Sequence, residues 1–459
     1  MEPRSLSFIA EASGGVLAKG DPQKMITRVC TDSRAVQVGD LFIAIFGERF
    51  DGHSFVVEAG GKGVAAVIIE SGKTPSSLPD CGVIFVEETR QALGLLGARY
   101  RADFDLPVIA VAGSNGKTTT KELLGALLGQ RGPALWSEAS FNNDIGVPHT
   151  LLRIERGHWA LVQEIGTNHP GELAPLIRLV QPHFGVITSI GREHLEFFGD
   201  VAGVAQEEGV LAELLPGEGK LFINGDSEWA NKIAQRSRAE VVGAGLNEGN
   251  PWRATNLRLD ERGVVFDVAA PRSELCGEYR VNLLGRHQVT NALLALAVGA
   301  ELGLTRDELA CGLAAGVPSK MRLQIWEAHG VRVIDDSYNA NADSTLAALQ
   351  VLRDLPCAGR RIAVLGDMAE LGAHTLAAHE EVGRRAAELG IDEIIAVGSQ
   401  AGVTASAARI AGSCTVHECA DAVAAGEVLR EMAKAGDTVL LKASRAARLE
   451  RAGEMLRNR

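Results

Sequence analysis

The most constraining feature of this sequence is an apolar run that leads through a glycine-bounded turn into an amphipathic stretch. Residues 108–112 (VIAVA) read as a buried strand, and residues 117–128 repeat apolar side chains at the interval of a helix. A buried strand that passes directly into a helix is typical of a crossover unit. The segment therefore predicts a mostly parallel sheet covered by helices.

The turn also has the composition of a phosphate-binding loop. Glycines let backbone N–H groups approach an anion at the start of a helix. Lys117 would reach the β- and γ-phosphates of a nucleotide, and the Thr118 hydroxyl would coordinate a bridging Mg²⁺. The strict GxxxxGK[ST] pattern fails at Val111, and short GK[ST] strings also arise by chance, but the strand and helix around this one favour nucleotide binding. The predicted loop residues are Gly113, Ser114, Asn115, Gly116, Lys117, Thr118 and Thr119.

The length of 459 residues suggests about three domains at roughly 150 residues each. Apolar strands alternate with helical stretches after residue 108, an antiparallel rhythm occupies residues 252–284, and the alternation restarts at residue 331. We therefore predict an α/β fold with a small N-terminal α/β domain over residues 1–84. A central P-loop domain with a mostly parallel, doubly wound sheet follows over 85–317, and a Rossmann-like C-terminal domain over 318–459.

Composition excludes several classes of protein. The net charge of −12 argues against a nucleic-acid binder, which needs a cationic surface. No apolar run reaches the roughly 18 residues that span a bilayer, and the N-terminus lacks the pattern of a secretory signal, so we expect a cytoplasmic protein. The seven cysteines are odd in number and widely spaced, and we expect them to be reduced thiols.

Two further polar residues follow buried strands of the predicted central sheet. Glu164 ends the apolar run 159–165, and His194 follows the run 184–190. Ligands bind beyond the carboxyl ends of strands in open α/β sheets, so both are candidate ligands. A strand-end Glu or His is more often a surface or capping residue, and Mg²⁺ prefers oxygen, so chemistry alone does not nominate His194.

Nine ordered segments extend over almost the whole chain: TDSRAVQVGDLFIAIFGERFDGH (31–53), AGSNGKTTTKE (112–122), FNNDIGVPHTLL (141–152), QEIGTNHPGEL (163–173), IGREHLEFFG (190–199), LGRHQVTNALLA (284–295), IDDSYNANADS (334–344), LGDMAELG (365–372) and KASRAARLE (442–450). Together they resemble the Mur ligases of peptidoglycan synthesis. DDSYNAN, LGDMAELG and the lysine-to-arginine run look like the branch that adds D-alanyl-D-alanine to UDP-N-acetylmuramoyl-tripeptide.

The resemblance implies a three-domain enzyme that is usually a monomer. Its N-terminal domain would hold the UDP-sugar, its central domain would use ATP with two Mg²⁺ ions, and its C-terminal domain would close over the second substrate. ATP would convert a substrate carboxylate into an acyl phosphate, which the amine of D-alanyl-D-alanine then attacks. Neither nucleic acid nor a membrane is an expected partner.

The resemblance also carries residue roles onto matching positions. Thr118 and Glu164 would hold one Mg²⁺, and His194 would help hold a second. The residues matched to ATP contacts are Asn291, Arg322 near the phosphates, Asp336 near the ribose, and Tyr338 and Asn339 in the nucleotide pocket. Those matched to substrate regions are Ser33 and Arg34 for UDP, Asn142, Asn143 and Thr167 for the muramoyl peptide, and Lys442, Ser444 and Arg445 in the C-terminal run. For Ser33, Arg34, Asn142, Asn143 and Thr167, turn residues with local hydrogen bonds are the alternative.

One position departs from the family pattern in a way that affects chemistry. Most Mur ligases carry a carbamylated lysine on the helix after the His194 motif, where this chain has Glu208 and no lysine nearby. We expect Glu208 to supply a permanent carboxylate to the second Mg²⁺, with a water bridging its shorter reach. The alternative is that Glu208 is a solvated helix residue.

Two other functions remain open at this point. The chain is either the D-alanyl-D-alanine-adding enzyme, a sister ligase that adds a different amine, or a catalytically silent scaffold that binds ATP and UDP-muramoyl peptide. Retention of Lys117, Thr118, Glu164 and His194 argues against the scaffold. The sequence leaves open whether the third peptide residue is diaminopimelate or lysine.

Overall fold

The structure is a computed structural model that describes residues 1–47, 50–74 and 77–458. Glu48 and Arg49, in the 31–53 segment, and Arg459, at the end of the predicted third domain, lie outside the described residues. The fold is α/β with several mostly parallel sheets, as the strand and helix periodicity predicts.

The N-terminal part has a five-stranded sheet in the order β2-β7-β6-β5-β4, parallel except for the antiparallel edge strand β2. A short antiparallel pair, β1 with β3, lies outside this sheet. The elements are β1 (Arg4–Ser5), α1 (Leu6–Ala12), β2 (Val16–Lys19), β3 (Met25–Ile26), β4 (Val29–Cys30), β5 (Leu41–Ile43), α2 (Val56–Gly61), β6 (Ala66–Glu70), β7 (Gly82–Val86) and α3 (Thr89–Arg101).

The central part begins with the strand and helix that flank the predicted phosphate loop. Its elements are β8 (Val108–Ala112), α4 (Lys117–Leu128), β9 (Ala134–Trp136), α5 (Gly146–Leu151), β10 (Ala160–Glu164), α6 (Leu173–Val180), β11 (Phe184–Ile187), α7 (Leu195–Phe198), α8 (Val201–Glu208), α9 (Val210–Leu214), β12 (Lys220–Asn224), α10 (Ala230–Ala234), β13 (Glu240–Gly245), β14 (Trp252–Asp260), β15 (Gly263–Ala269), β16 (Gly277–Val281), α11 (His287–Glu301) and α12 (Arg306–Ala315). β10 pairs in parallel with β8 and β9, and β12, β13 and β14 are parallel neighbours. β14, β15 and β16 form the predicted antiparallel addition.

The apolar spacing of residues 201–215 predicts one helical stretch, and the structure has two helices there. The stretch divides at Gly209 into α8 and α9, and the Arg236 guanidinium occupies the space beside that glycine. Arg236 donates hydrogen bonds to the carbonyls of Ala205 and Gln206 at 3.1 and 2.7 Å. These carbonyls lie in the last turn of α8, and the Ala205 carbonyl also accepts the Gly209 N–H at 3.1 Å. The break leaves Glu208 as the last residue of α8.

The C-terminal part has a six-stranded sheet in the order β17-β18-β22-β19-β20-β21. All neighbours are parallel except the β17–β18 hairpin, and helices pack on both faces of the sheet. The elements are β17 (Gln324–Ala328), β18 (Val331–Asp336), α13 (Ala342–Asp354), β19 (Arg361–Gly366), α14 (Thr375–Glu388), β20 (Glu393–Val397), α15 (Ala401–Ala411), β21 (Thr415–Cys419), α16 (Ala422–Met432), β22 (Thr438–Lys442) and α17 (Glu450–Arg457).

By spatial packing the chain divides into two compact units. The first comprises residues 1–111, 132–167 and 172–184, and the second comprises residues 112–131, 168–171 and 185–459. The predicted domain boundaries after residues 84 and 317 stay predictions.

All seven cysteines are free, as predicted, and Cys311 on α12 is the exposed one among them. Burial raises the pKa of the Cys30, Cys81, Cys414 and Cys419 thiols above the ordinary value. Among the described residues, no helix combines the length and the apolarity needed to cross a membrane.

Candidate active site

The predicted phosphate loop lies in the second unit and is held by the segment that follows β11. The N–H of Ser114 donates to the carbonyl of Ser189 at 2.8 Å, and the N–H of Asn115 donates to the Ser189 hydroxyl at 2.9 Å. The Thr188 hydroxyl donates to the carbonyl of Asn115 at 2.7 Å, and the Gly191 N–H donates to the Ser114 hydroxyl at 2.8 Å. The loop is therefore tied down before any ligand binds.

Two loop glycines occupy positions that a side chain would disturb. Gly113 has φ +115°, and a Cβ there would lie 2.6 Å from the Thr188 hydroxyl. Gly116 has φ +91°, and a Cβ there would overlap the Asn291 side-chain oxygen. Asn291, a predicted ATP contact, accordingly lies directly against the loop on buried helix α11.

Gly116→Ala is expected to weaken nucleotide binding about tenfold or more, because the new methyl group must displace Asn291 and the backbone becomes strained by about 1–3 kcal/mol. Calorimetric titration with ADP measures the effect. Gly249→Ala is the matched control, since Gly249 has φ +93° with open space around it. The control should lose similar stability and keep its ADP affinity. Unchanged ADP affinity in Gly116→Ala would contradict this account of the loop.

Lys117 folds back over the loop from the first turn of α4. Its Nζ donates to the carbonyl of Gly113 and lies 3.5 Å from the Glu193 carboxylate. The side chain of Glu193 is nearly buried, so this contact is poorly screened by solvent. A cation held at a glycine-bounded loop suits an anionic ligand such as a triphosphate. Thr118 is buried and Thr119 half-buried in the same turn of α4.

Glu208 lies beneath the loop and is buried, so it is not a solvated helix residue. One carboxyl oxygen accepts the Gly113 N–H at 2.7 Å, and the other has no hydrogen-bond partner in the part of the chain that the structure describes. Burial raises the pKa of Glu208 to about 8, helped by the Glu193 carboxylate and opposed by Lys117. Two carboxylates that face each other require a shared proton or a cation between them.

A divalent cation suits a buried carboxyl oxygen that accepts no hydrogen bond from the described residues. In the second unit this describes one oxygen of Glu208. In the first unit, Oε2 of Glu164 is buried and has no hydrogen-bond partner among the described residues. Carboxylate oxygens of this kind are the donors that Mg²⁺ prefers. Over residues 1–47, 50–74 and 77–458, however, no three His, Cys, Asp or Glu side chains are gathered as a ready-made metal cluster. A bound ion would therefore need water or phosphate oxygens in addition.

A second group of predicted nucleotide residues surrounds the end of β18. The Arg322 guanidinium lies over the Tyr338 ring, 4.4 Å from its centroid, and one Asp336 oxygen accepts the Leu323 N–H at 3.1 Å. A cavity of about 180 Å³ lies beside Arg322, lined also by Gln288, Pro318 and Leu323. Asn291 is connected to it, because its side chain donates to Gln288 at 2.9 Å.

The three predicted C-terminal substrate residues have different surroundings. Lys442 is buried and bridges two predicted nucleotide residues, with Nζ 2.6 Å from Asp336 and 2.8 Å from the carbonyl of Asn339. Ser444 is buried and tied to the backbone of Ala340 and Ala369, at 3.1 and 2.8 Å. Arg445 is half exposed and pairs with Glu450 on α17. The structure thus groups Lys442 with the nucleotide residues.

His194 directly precedes helix α7 and contacts a residue from the C-terminal part. Its Nδ1 lies 2.5 Å from the carboxylate of Glu370 in the LGDMAELG segment. Nearby, Arg192 forms ion pairs with Asp343 at 2.6 Å and Glu381 at 2.5 Å. The side chain of Asn341 also donates to the side chain of Asn115 in the phosphate loop at 3.0 Å. Residues 341–381 therefore contact both the loop and the His194 segment.

In the first unit, Asn142 and Glu164 are brought together. The Asn142 amide donates to Oε1 of Glu164 at 2.8 Å. The Asn143 side chain makes a local hydrogen bond, which is what the alternative to a substrate role predicts. It accepts the Gly146 N–H at the start of α5. The Thr167 hydroxyl donates to Glu172 at 3.5 Å.

The predicted UDP residues also lie in the first unit. The backbone carbonyl of Ser33 accepts from Lys62 at 2.8 Å. Arg34 is largely exposed and forms a two-point contact with Asp32, at 2.9 and 2.8 Å. This contact holds the pKa of Asp32 down, to about 2. The guanidinium stays accessible, and the roles of both residues stay predictions.

Sequence reasoning missed several residues of the second-unit site. Thr188 and Ser189 support the loop, Glu193 faces Lys117, and Glu370 holds His194. Glu193 and Glu370 lie inside segments already quoted for the family resemblance, IGREHLEFFG and LGDMAELG. Thr188 and Ser189 directly precede the first of these, and nothing in the local pattern marks their hydroxyls.

Comparison with known proteins places the chain among peptide ligases. It matches the Mur ligase family, catalytic domain, over residues 25–101, the Mur ligase middle domain over 111–299, and the Mur ligase, glutamate ligase domain, over 321–445. It is 36% identical over 452 residues to the UDP-N-acetylmuramoyl-tripeptide–D-alanyl-D-alanine ligase of Escherichia coli, covering 97% of this chain and 96% of that protein. The enzyme of the same name from Bacillus subtilis is 34% identical over 459 residues, covering 98% and 97%.

Solved structures give the same picture for the fold. A crystal structure of MurF from Acinetobacter baumannii aligns with a TM-score of 0.91 at 32% identity, covering 100% of both chains. The structure of MurF ligase from Thermotoga maritima in complex with ADP aligns with a TM-score of 0.82 at 29% identity, covering 94% of this chain and 97% of that one.

Proposed function

This chain belongs to the Mur ligase family, and we propose that it is the ATP-dependent, ADP-forming ligase that joins D-alanyl-D-alanine to UDP-N-acetylmuramoyl-tripeptide. The observation that carries the proposal is its likeness, over nearly the whole chain, to relatives named for that reaction. The product would be the UDP-muramoyl-pentapeptide of peptidoglycan synthesis, made in the cytoplasm.

The reaction needs an activated carboxylate, because a carboxylate at neutral pH has no good leaving group. The substrate carboxylate would take the γ-phosphoryl group of ATP, releasing ADP and forming an acyl phosphate. The amine of D-alanyl-D-alanine would then attack the acyl carbon, and phosphate would leave. Lys117 and the backbone N–H groups at the start of α4 would neutralise phosphate charge during the transfer.

Two Mg²⁺ ions would complete the site. Thr118 and Glu164 would hold one, and His194 and Glu208 would help hold the second. The buried carboxyl oxygens of Glu164 and Glu208 that lack partners support this assignment. When bound, the ions would lower the repulsion between the triphosphate and the substrate carboxylate. Because the carboxyl group of Glu208 is part of its own side chain and is not made by carbamylation, the activity would need no bicarbonate.

The remaining residues would bind and orient the substrates. Asn291, Arg322, Asp336, Tyr338 and Asn339 would surround the nucleotide, and the pairing of Lys442 with Asp336 supports including Lys442 in this group. Ser33 and Arg34 would bind UDP. Asn142, Asn143 and Thr167 would face the muramoyl peptide, and Ser444 and Arg445 the closed site.

The experiment is phosphate release from ATP with UDP-N-acetylmuramoyl-tripeptide, with and without D-alanyl-D-alanine, in decarbonated buffer. The proposal expects release that requires both substrates and does not change on adding bicarbonate. Release with a single amino acid as the only effective amine would indicate a sister ligase. Binding of ATP and UDP-muramoyl peptide without release under any condition would indicate the scaffold instead.

A further inference from the structure

We propose that Glu370 is a positioning residue that orients the His194 imidazole and keeps its Nε2 free to bind a cation. The inference rests on the proposed function only for the identity of the ligand, a divalent ion bound with nucleotide. Glu370 comes from the C-terminal part of the chain, so the segment 365–372 would complete a metal site that is otherwise formed by the central part.

The side chains of Glu370 and His194 are in close contact, and a backbone hydrogen bond forms beside them. Oε2 of Glu370 lies 2.5 Å from Nδ1 of His194, and the carbonyl of Glu370 accepts the N–H of Glu196 at 3.0 Å. Both His194 and Glu370 are non-glycine residues in the left-handed region, with φ of 46° and 61°. Backbone conformations of this kind persist where the surroundings impose them, and they cluster at functional sites. Two of them meet at this contact.

The chemistry of the pair assigns the tautomer. The contact joins Oε2 of Glu370 to Nδ1 of His194, and a glutamate side chain is ordinarily a carboxylate at neutral pH. A carboxylate can only accept, so the proton must be on Nδ1 of His194. In the neutral imidazole this leaves the lone pair on Nε2. Metal-binding histidines commonly use one nitrogen for the ion and donate the other N–H to a carboxylate.

The position of the Glu370 carboxylate is set by its own domain. The Ala369 N–H donates to the Ser444 hydroxyl at 2.8 Å, and the Met368 N–H donates to buried His379 at 3.1 Å. Asp367 accepts three hydrogen bonds from Ser399 and Gln400, at 2.8 to 2.9 Å. The segment is therefore held independently of His194.

The competing explanation is that the His194–Glu370 contact is only an ion pair that holds two segments together. The structure contains ion pairs of that kind for comparison. Arg192 pairs with Asp343 and Glu381 close to the same contact, without touching His194. Removing the charge of Glu381 should weaken the contact of residues 341–381 with the segment around Arg192 and His194. It should not change the tautomer of the His194 imidazole. Glu381→Gln is therefore a matched control for Glu370→Ala and Glu370→Gln.

The test has two readouts besides activity. The first is the tautomer of His194 in ¹⁵N-histidine-labelled full-length protein, with the signal assigned by its loss in His194→Gln. The second is the affinity of the ADP-bound protein for Mn²⁺, measured by electron paramagnetic resonance. Glu370→Ala should lose the Nδ1–H tautomer and bind Mn²⁺ about 10- to 100-fold more weakly. Glu370→Gln should keep the tautomer and lose less than tenfold in affinity, and Glu381→Gln should leave both unchanged.

Either an unchanged tautomer and Mn²⁺ affinity in Glu370→Ala, or equal losses in Glu370→Ala and Glu381→Gln, would overturn the inference. Failure of the proposed function is recognised separately. If the wild-type protein released no phosphate while Glu370→Ala still lost the tautomer and the Mn²⁺ affinity, the positioning role would stand and the ligase assignment would fall.

Discussion

Lys117→Met is expected to lower the rate of D-alanyl-D-alanine-dependent phosphate release by about a thousandfold, the usual scale for losing a group that stabilises phosphoryl transfer. Methionine keeps the length and the apolar stem of the side chain. The change removes the cation that lies against the Gly113 carbonyl and 3.5 Å from Glu193. The measurement is steady-state phosphate release at saturating ATP.

Lys232→Met is the control, because Lys232 is an exposed lysine on α10 of the same unit. It removes one positive charge away from the loop and should keep the wild-type rate. A loss of less than tenfold in Lys117→Met, with normal thermal unfolding, would show that Lys117 does not act on the transferred phosphate.

Glu208→Gln is expected to change activity and stability in opposite directions. Glutamine can still accept the Gly113 N–H, so the loop keeps its support. It has no negative charge to offer a cation, and we expect phosphate release to fall about tenfold or more. Because glutamine never ionises, it also removes the cost of burying a carboxylate, and the ligand-free protein should become more stable.

The sign of the pH dependence follows from the raised pKa. Burial moves the pKa of Glu208 from the ordinary 4.5 to about 8, so between these values the folded state holds a proton that the unfolded state has released. The free energy of unfolding from this group therefore falls as the pH rises through that window. The melting temperature of Glu208→Gln should exceed that of the wild type by little at pH 5 and by roughly 2 °C or more at pH 8.

Glu207→Gln on the same helix is the matched control, since Glu207 accepts the Gly171 N–H at 2.9 Å and glutamine can do the same. It should change neither the activity nor the pH dependence of melting. A Glu208→Gln protein with wild-type activity would remove Glu208 from the metal site and leave it a structural support of the loop.

Local patterns predicted the parts of this fold whose boundaries are chemically marked. β8 and α4 begin and end at the predicted residues. An apolar run is followed there by a glycine turn and then by the apolar spacing of a helix, so the sequence marks each boundary. α15 was not predicted, because Ala401–Ala411 is rich in alanine and has only Val403 and Ile410 as large apolar residues to mark a helical period. At the break between α8 and α9 the Ala205 carbonyl accepts a hydrogen bond from Arg236, which lies outside both helices and leaves no signal in their local sequence.

The residues of the candidate site also fall into two groups, those that the local sequence marks and those that only the folded chain brings together. The loop residues Gly113–Thr119 are contiguous and could be recognised from their order alone. The contact of His194 with Glu370 joins residues 176 positions apart, and it exists only once the folded chain brings two segments together. Burial produces the unusual titration of Glu208, and the identity of a helix residue does not reveal burial.

The unequal exposure of the cysteines makes the protein convenient to label. Cys311 is exposed on α12, whereas the other six are buried or half-buried, and burial raises the pKa of four of them. Thiolate is the reactive form, so a maleimide dye at neutral pH should attach to Cys311 first. A second cysteine introduced on α14 would then allow fluorescence energy transfer to follow the distance between the central and C-terminal parts as substrates are added.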